Sequence, residues 1–198
     1  MENKNTKEGS WNAGRVLSAL GRIGYHPVSA LLDIADNSVS ANASKVSISI
    51  ETTRGKGGKR GKSRAVISSF SVYDNGLGMN EEGIHNAFTL GSSTKYYVEG
   101  TLSKFGMGLK SAAFSLGNRL EIISRVSSES SILKASLDLK TINKSQGKYI
   151  YEISTPTEND IRQFETVCGN GSGTIIRITE IHTEAMLKPS EIIEGIKK

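Results

Sequence analysis

The chain is expected to be α+β: a two-layer α/β sandwich with a mixed, mostly antiparallel sheet and helices on one face. Three observations predict this. Alternating apolar residues, as in residues 45–51 (KVSISIE) and 174–181, have the two-residue period of half-buried strands. Helical spacing occupies other stretches, notably 13–23 and 27–41. The 198 residues contain no repeat and no internal linker, so one domain with a substantial core is expected.

Taken in order, residues 1–12 are polar and read as a flexible N-terminal segment, leaving 13–198 as the domain. Val16, Leu17 and Leu20 mark a first helix over 13–23, with Gly24 as its stop. Pro27 suits the opening turn of the second helix, where its missing N–H is not needed. On that helix Val28, Leu31, Leu32, Ala35 and Val39 are read as one apolar stripe. Ser29, Asp33, Asp36, Asn37 and Ser40 fall on another face. Strand 45–51 follows, with Val46, Ile48 and Ile50 inward, then a basic loop and a strand over 65–73 running into DNGLGMN. Asn80 caps a helix over 81–88. A glycine-, serine- and lysine-rich stretch leads to a short helix at 109–116, closed by Gly117. Strands are predicted at 119–126, 131–139 and 148–153, a helix at 159–166, and a strand at 174–181. The sequence PSEIIEGIKK starts a last helix.

Composition excludes several classes. Cys168 is the only cysteine, so there is no internal disulfide and no cysteine zinc cluster, and it reads as a buried, incidental thiol. No apolar run approaches the ~20 residues of a membrane span, and MENKNTKEGS lacks a signal-peptide core. A cytoplasmic protein, nuclear if eukaryotic, is expected. The net charge of +5 belongs largely to Arg54 to Arg64 (RGKGGKRGKSR), a solvated hairpin tip or a non-specific nucleic-acid phosphate contact. Its Gly61-Lys62-Ser63 resembles the end of a P-loop. The spacing from Gly55 and Gly57 is wrong, and the segment leads into a strand rather than a helix.

Four pieces carry the chemistry. Asp33 and Asn37 are i, i+4 on one helix face that carries no Lys, Glu or Arg. Short carboxylates and an amide there look more like a metal-ligand site than a solubilising surface. In Asp74-Asn75-Gly76-Leu77-Gly78-Met79, glycines let backbone approach a planar ligand, and a buried carboxylate can accept from an exocyclic amine. Lys104-Phe105-Gly106-Met107-Gly108-Leu109-Lys110-Ser111 is a glycine-rich turn opening a helix, with N–H groups and the helix dipole available to phosphates. Gly171-Ser172-Gly173-Thr174 leads into the last strand.

In this order and spacing, the four pieces resemble the GHKL ATP-binding superfamily of gyrase, MutL, the large heat-shock chaperone and the histidine kinases, over about residues 15–180. Within it, FTLGSSTK followed by LSKFGMGLKSAAFSLG is most similar to the microrchidia (MORC) ATPases and their bacterial relatives. The resemblance implies a Bergerat-type fold and Mg²⁺-dependent ATP binding with hydrolysis. It also implies a nucleotide-dependent homodimer within a larger protein. It gives Asn37 to the Mg²⁺, Asp36 to a supporting place beside it, and Asp33 to the attacking water, where the family usually has Glu. Asp74 would take the adenine amine, with Gly76, Gly78 and Met79 around the base and Thr174 on the far side. Residues 91–108 would form a lid. Ser92, Ser93, Thr94, Lys95, Lys104 and Lys110, with the N–H groups of Phe105, Gly106, Met107, Gly108 and Leu109, would face the phosphates.

Asp in place of Glu shortens the side chain by about 1.5 Å, and a 1 Å displacement can cost ~10²-fold in rate. Either the helix sits closer to the γ-phosphate here or hydrolysis is slow, and slow turnover is expected because a transducer-domain lysine found in relatives has no counterpart here. The chain is expected to be a fragment for the same reason. A histidine-kinase reading is disfavoured by an acidic residue at position 33 and by the lack of an upstream His-bearing hairpin. His26, His85 and His182 read as structural or exposed. The basic loop has no interleaved aromatic to stack on bases.

Overall fold

The computed structural model describes residues 7–22, 25–55, 65–91, 107–146, 148–183 and 188–197. Of the site residues expected above, Ser92, Ser93, Thr94, Lys95, Lys104, Phe105 and Gly106 lie outside the described residues, as does most of the Arg54 to Arg64 loop.

The strands are β1 (Val46–Arg54), β2 (Ala65–Asp74), β3 (Gly117–Arg125), β4 (Leu133–Asp138), β5 (Glu152–Ser154) and β6 (Gly173–Ile181). They form one sheet in the order β1-β2-β6-β3-β4-β5, and every described pairing is antiparallel. The helices are α1 (Ala13–Gly21), α2 (Pro27–Ser40), α3 (Glu81–Phe88), α4 (Gly108–Leu116), α5 (Leu139–Lys144), α6 (Glu158–Cys168) and α7 (Pro189–Ile196).

Side chains alternate between the two faces of a strand, and this decides where the core sits. Phe70 and Val72 of β2, Leu120 and Ile122 of β3, and Ile176 and Ile178 of β6 point to one face. There they pack with Leu17, Leu31, Ile34, Phe88, Phe114, Ile142 and Ile192 from the helices. Each fully buried Phe or Leu contributes about 2–3 kcal/mol, so this layer dominates folding. Among the described residues α6 alone lies on the other face, where Phe164 and Cys168 meet Tyr73, Ile123 and Ile175.

That second face is otherwise held by charge. Arg177 reaches Asp160 at 2.7 Å and Glu121 at 3.1 Å; Lys134 reaches Asp160 at 2.8 Å; Arg119 joins Glu121 to Asp138. Asp160 also accepts from the Thr157 backbone and hydroxyl in a capping box that starts α6. Burial alone would push the Asp160 carboxyl up, but Lys134, Arg177 and Thr157 outweigh it and hold it well below the usual carboxylate range.

Three expectations are corrected. The buried stripe of α2 is Pro27, Ala30, Leu31, Ile34 and Ser38, whereas Leu32 and Val39 are exposed. The helix is thus rotated by about one residue from the apolar reading, because Ser38 is buried by a polar partner. Helix α5 lies where a strand was expected to end: the Asp138 carboxylate accepts from Lys140 N–H and turns the chain into a helix. The strand expected at 148–153 shrinks to β5.

Asp160→Asn should destabilise the fold by about 3 kcal/mol at neutral pH, since it strips Arg177 and Lys134 of a buried partner. Asp160 is depressed in the folded state, so its contribution is full above the unfolded carboxylate pKa of about 4. It is lost as pH falls through the lower folded value. Urea denaturation should therefore show the gap between variant and parent narrowing below about pH 4; a constant gap would separate the effect from ionisation.

Candidate functional site

The site is built where the strand ends meet α2. Asp74 closes β2 and pairs in register with Thr174 of β6, which pairs in turn with Ser124 of β3. The three side chains make one row across three strands, on the face that carries the main core. From above, Ser38 of α2 donates its hydroxyl to Asp74 Oδ2 at 2.9 Å. Gly76 N–H donates to Asp74 Oδ1 at 2.9 Å, and the Thr174 backbone N–H bonds to the same carboxylate. Burial raises the pKa of Asp74, and these three donors oppose the rise. A carboxylate has about four acceptor positions, so three internal donors leave room for an external N–H.

The glycines have a nearer reason than ligand approach. A Cβ on Gly76 would stand 2.7 Å from the Ala41 carbonyl oxygen, and one on Gly78 would stand 1.9 Å from that of Arg125. Gly78 also has φ of +68°, which favours glycine. Leu77 N–H donates to Ala41 O at 2.9 Å, so the turn is fastened to the end of α2. Met79 N–H donates to Ser124 Oγ at 2.8 Å.

On α2, Asp33 and Asn37 are half-buried and Asp36 is exposed. Asn37 Nδ2 donates back to the carbonyls of Asp33 at 3.0 Å and Ile34 at 3.3 Å. That fixes the amide and leaves Oδ1 as a hard oxygen donor, the type Mg²⁺ takes alongside phosphate oxygens and water. Among the described residues no cluster of three or more His, Cys, Asp or Glu could cage a metal. The Tyr25 hydroxyl hydrogen-bonds the Asp33 carboxylate, and that contact, with burial and the Asp33 charge, raises the Tyr25 pKa.

Met107, Gly108 and Leu109 form the N-terminal turn of α4, which has no side-chain cap, and α4 packs against α2. Lys110, expected to face the phosphates, has a partner within the fold. It is buried, its Nζ donates to the Ala87 carbonyl at 2.5 Å, and desolvation draws its pKa down to about 8. The ammonium thus caps the C-terminal end of α3.

Residue patterning gives no sign of Ser38, Tyr25, Ser124 and Arg125. The first lies one residue beyond Asn37, and no apolar period marks a serine as core. Arg125 spans the loop after α6, donating to Gly171 O at 2.8 Å and Gly169 O at 3.0 Å and stacking 5.0 Å over Phe164. Cys168 beneath Asp74 is buried and its thiol is pushed up to about 11, chiefly by desolvation.

A six-stranded antiparallel sheet whose main face is covered by helices defines an α+β sandwich. The chain belongs to the histidine kinase-, DNA gyrase B- and HSP90-like ATPases, whose family model matches residues 25–174. That membership carries ATP binding at the level of the family. The comparison with curated proteins finds no match.

Ser38→Ala should weaken ADP binding by about tenfold at neutral pH, the loss of one hydrogen bond to a charged group. The Ser38 bond lowers the Asp74 pKa, so its removal moves that pKa further up. Binding by the variant should then be lost at a higher pH than in the parent on acidification. Parallel pH profiles would show that Ser38 does not act through Asp74.

Proposed function

We propose that the chain binds Mg²⁺–ATP in the corner between α2 and the ends of β2 and β6, and hydrolyses it slowly. The observation that carries this is the Asp74 carboxylate, buried and held by Ser38, Gly76 and Thr174 with acceptor capacity left over. Such a group suits the exocyclic amine of adenine. Asn37 would hold the Mg²⁺, which neutralises phosphate charge when bound. The α4 N-terminus, with its uncapped N–H groups, suits phosphate. Asp33, oriented by Tyr25, would position the attacking water.

Within a MORC-like protein, this cycle would gate dimerisation: a site closed by nucleotide in each of two chains is a means of making association depend on ATP. Phosphate transfer to a protein is the lesser reading, because a carboxylate at Asp33 favours activation of water. Contact between Arg54 to Arg64 and nucleic-acid phosphates rests on charge alone and would be salt-sensitive and indifferent to base sequence. No helix among the described residues is long and apolar enough to cross a membrane.

Calorimetric titration with a non-hydrolysable ATP analogue tests the site. Binding should require Mg²⁺ for full affinity and disappear in Asp74→Asn, which replaces an acceptor oxygen by an amide. Undiminished binding by that variant, shown to be folded, would remove Asp74 from the site. Asn37→Ala should weaken binding only when Mg²⁺ is present.

Steady-state phosphate release tests Asp33 separately. Asp33→Asn should keep nucleotide affinity and lower turnover by at least about 10²-fold, the usual scale for a positioned acid–base group. Equal turnover in parent and variant would leave a nucleotide-sensing domain rather than an ATPase.

A further inference from the structure

We propose that Ser124 is a positioning residue that makes Thr174 an acceptor only, so that the site selects a purine with a 6-amino group over one with a 6-oxo group. This rests on the adenine reading of the Asp74 corner. Ser124 is fully buried and acts through its neighbour rather than by touching a ligand.

The argument is a count of protons. Ser124 Oγ has three polar neighbours: Met79 N at 2.8 Å, Gly173 O at 2.8 Å and Thr174 Oγ1 at 2.9 Å. A hydroxyl has one proton to give and two lone pairs to receive with. The Met79 amide can only donate, so it fills one lone pair. The Gly173 carbonyl can only accept, so at 2.8 Å the Ser124 proton must point to it. Otherwise two oxygens would face each other with no proton between them. One lone pair on Ser124 remains, and Thr174 must donate into it. All three contacts are then satisfied, and this is the one assignment that satisfies them.

The consequence falls on the ligand side. The Thr174 hydroxyl has its proton committed to Ser124, so its oxygen offers lone pairs only. Its cross-strand neighbour Asp74, as a carboxylate, also offers lone pairs only. Two adjacent acceptors match the two N–H bonds of an exocyclic amine. Against a 6-oxo group the same pair would face a third acceptor, and buried acceptors left unpaired discriminate strongly. Without Ser124 the Thr174 hydroxyl regains its proton and can donate to a carbonyl.

The test is the ratio of ADP to IDP affinity, measured by titration of the purified chain with Mg²⁺, for the parent, Ser124→Ala and Ser124→Thr. The parent should prefer ADP, Ser124→Ala should lower the preference by about tenfold, and Ser124→Thr, which keeps the hydroxyl, should restore it. Should Ser124→Ala fail to fold, Ser124→Cys replaces it, since a thiol is a weak donor and acceptor of similar size, with the same loss of preference expected. A fall in both affinities with the ratio unchanged overturns the inference and leaves Ser124 a purely structural residue. A parent that binds ADP and IDP equally overturns it too. Absence of any nucleotide binding by the folded parent would instead bring down the reading of the site itself.

Discussion

A carboxylate removed from water sets the terms for this fold. Asp74 is 5% exposed, and an ion so placed is tolerated only when most of its acceptor positions are filled. Filling them recruits three separate parts of the chain: the hydroxyl of Ser38 on α2, the turn at Gly76, and the backbone of Thr174 on β6. Each contact fixes a larger object. Ser38 sets the rotation of α2 about its axis, and that rotation places Asp33 and Asn37 on its half-buried face. Gly76 holds the turn against the end of the same helix. Thr174 closes the β2–β6 register at the site. The geometry of the candidate site and the packing of helix on sheet therefore share one electrostatic requirement.

This requirement also explains what is legible in the sequence. Strand and helix periods report burial of apolar groups, and the elements resting on that alone can be read from it: α3 falls on 81–88 and β6 on 173–181. The motif residues Asp33, Asn37, Asp74 and Thr174 stand out in the sequence by type and spacing. The phase of α2 is not, because a hydrophobic stripe drawn through Val28, Leu32 and Val39 ignores a serine that is buried for a polar reason. Lys110 shows a different limit: a lysine beside a glycine-rich turn suggests an anion partner, and nothing in the sequence points to its bond to the carbonyl end of α3.

The two faces of the sheet divide their work differently. The helix-covered face is apolar and continuous, so it carries most of the stability. The α6 face is a network of three cations, Arg119, Lys134 and Arg177, with three carboxylates, Glu121, Asp138 and Asp160. Ion pairs of this kind add little over a packed apolar layer but resist any rearrangement that would leave one member alone. Their members lie from residue 119 to residue 177, so local patterning gives no sign of them. Rigidity on this side matters for the site, since Arg125 and Thr174 sit at the end of the same strands.

The short carboxylate at Asp33 gains its meaning from Tyr25. A glutamate would reach further but would carry another freely turning bond. Asp33 lacks that reach and instead has a phenol hydroxyl bonded to it from the segment just before α2. A donor that occupies one lone pair of a carboxylate fixes the direction of those that remain. In the proposed reaction that constraint suits orientation of water more than removal of its proton. The cost of the shorter side chain would then appear in turnover rather than in affinity, because Asn37 and Asp74, to which we assign binding, do not depend on Tyr25. In the reaction we propose, a nucleotide would then be held firmly and cleaved slowly, which is also what an ATP-gated association would require.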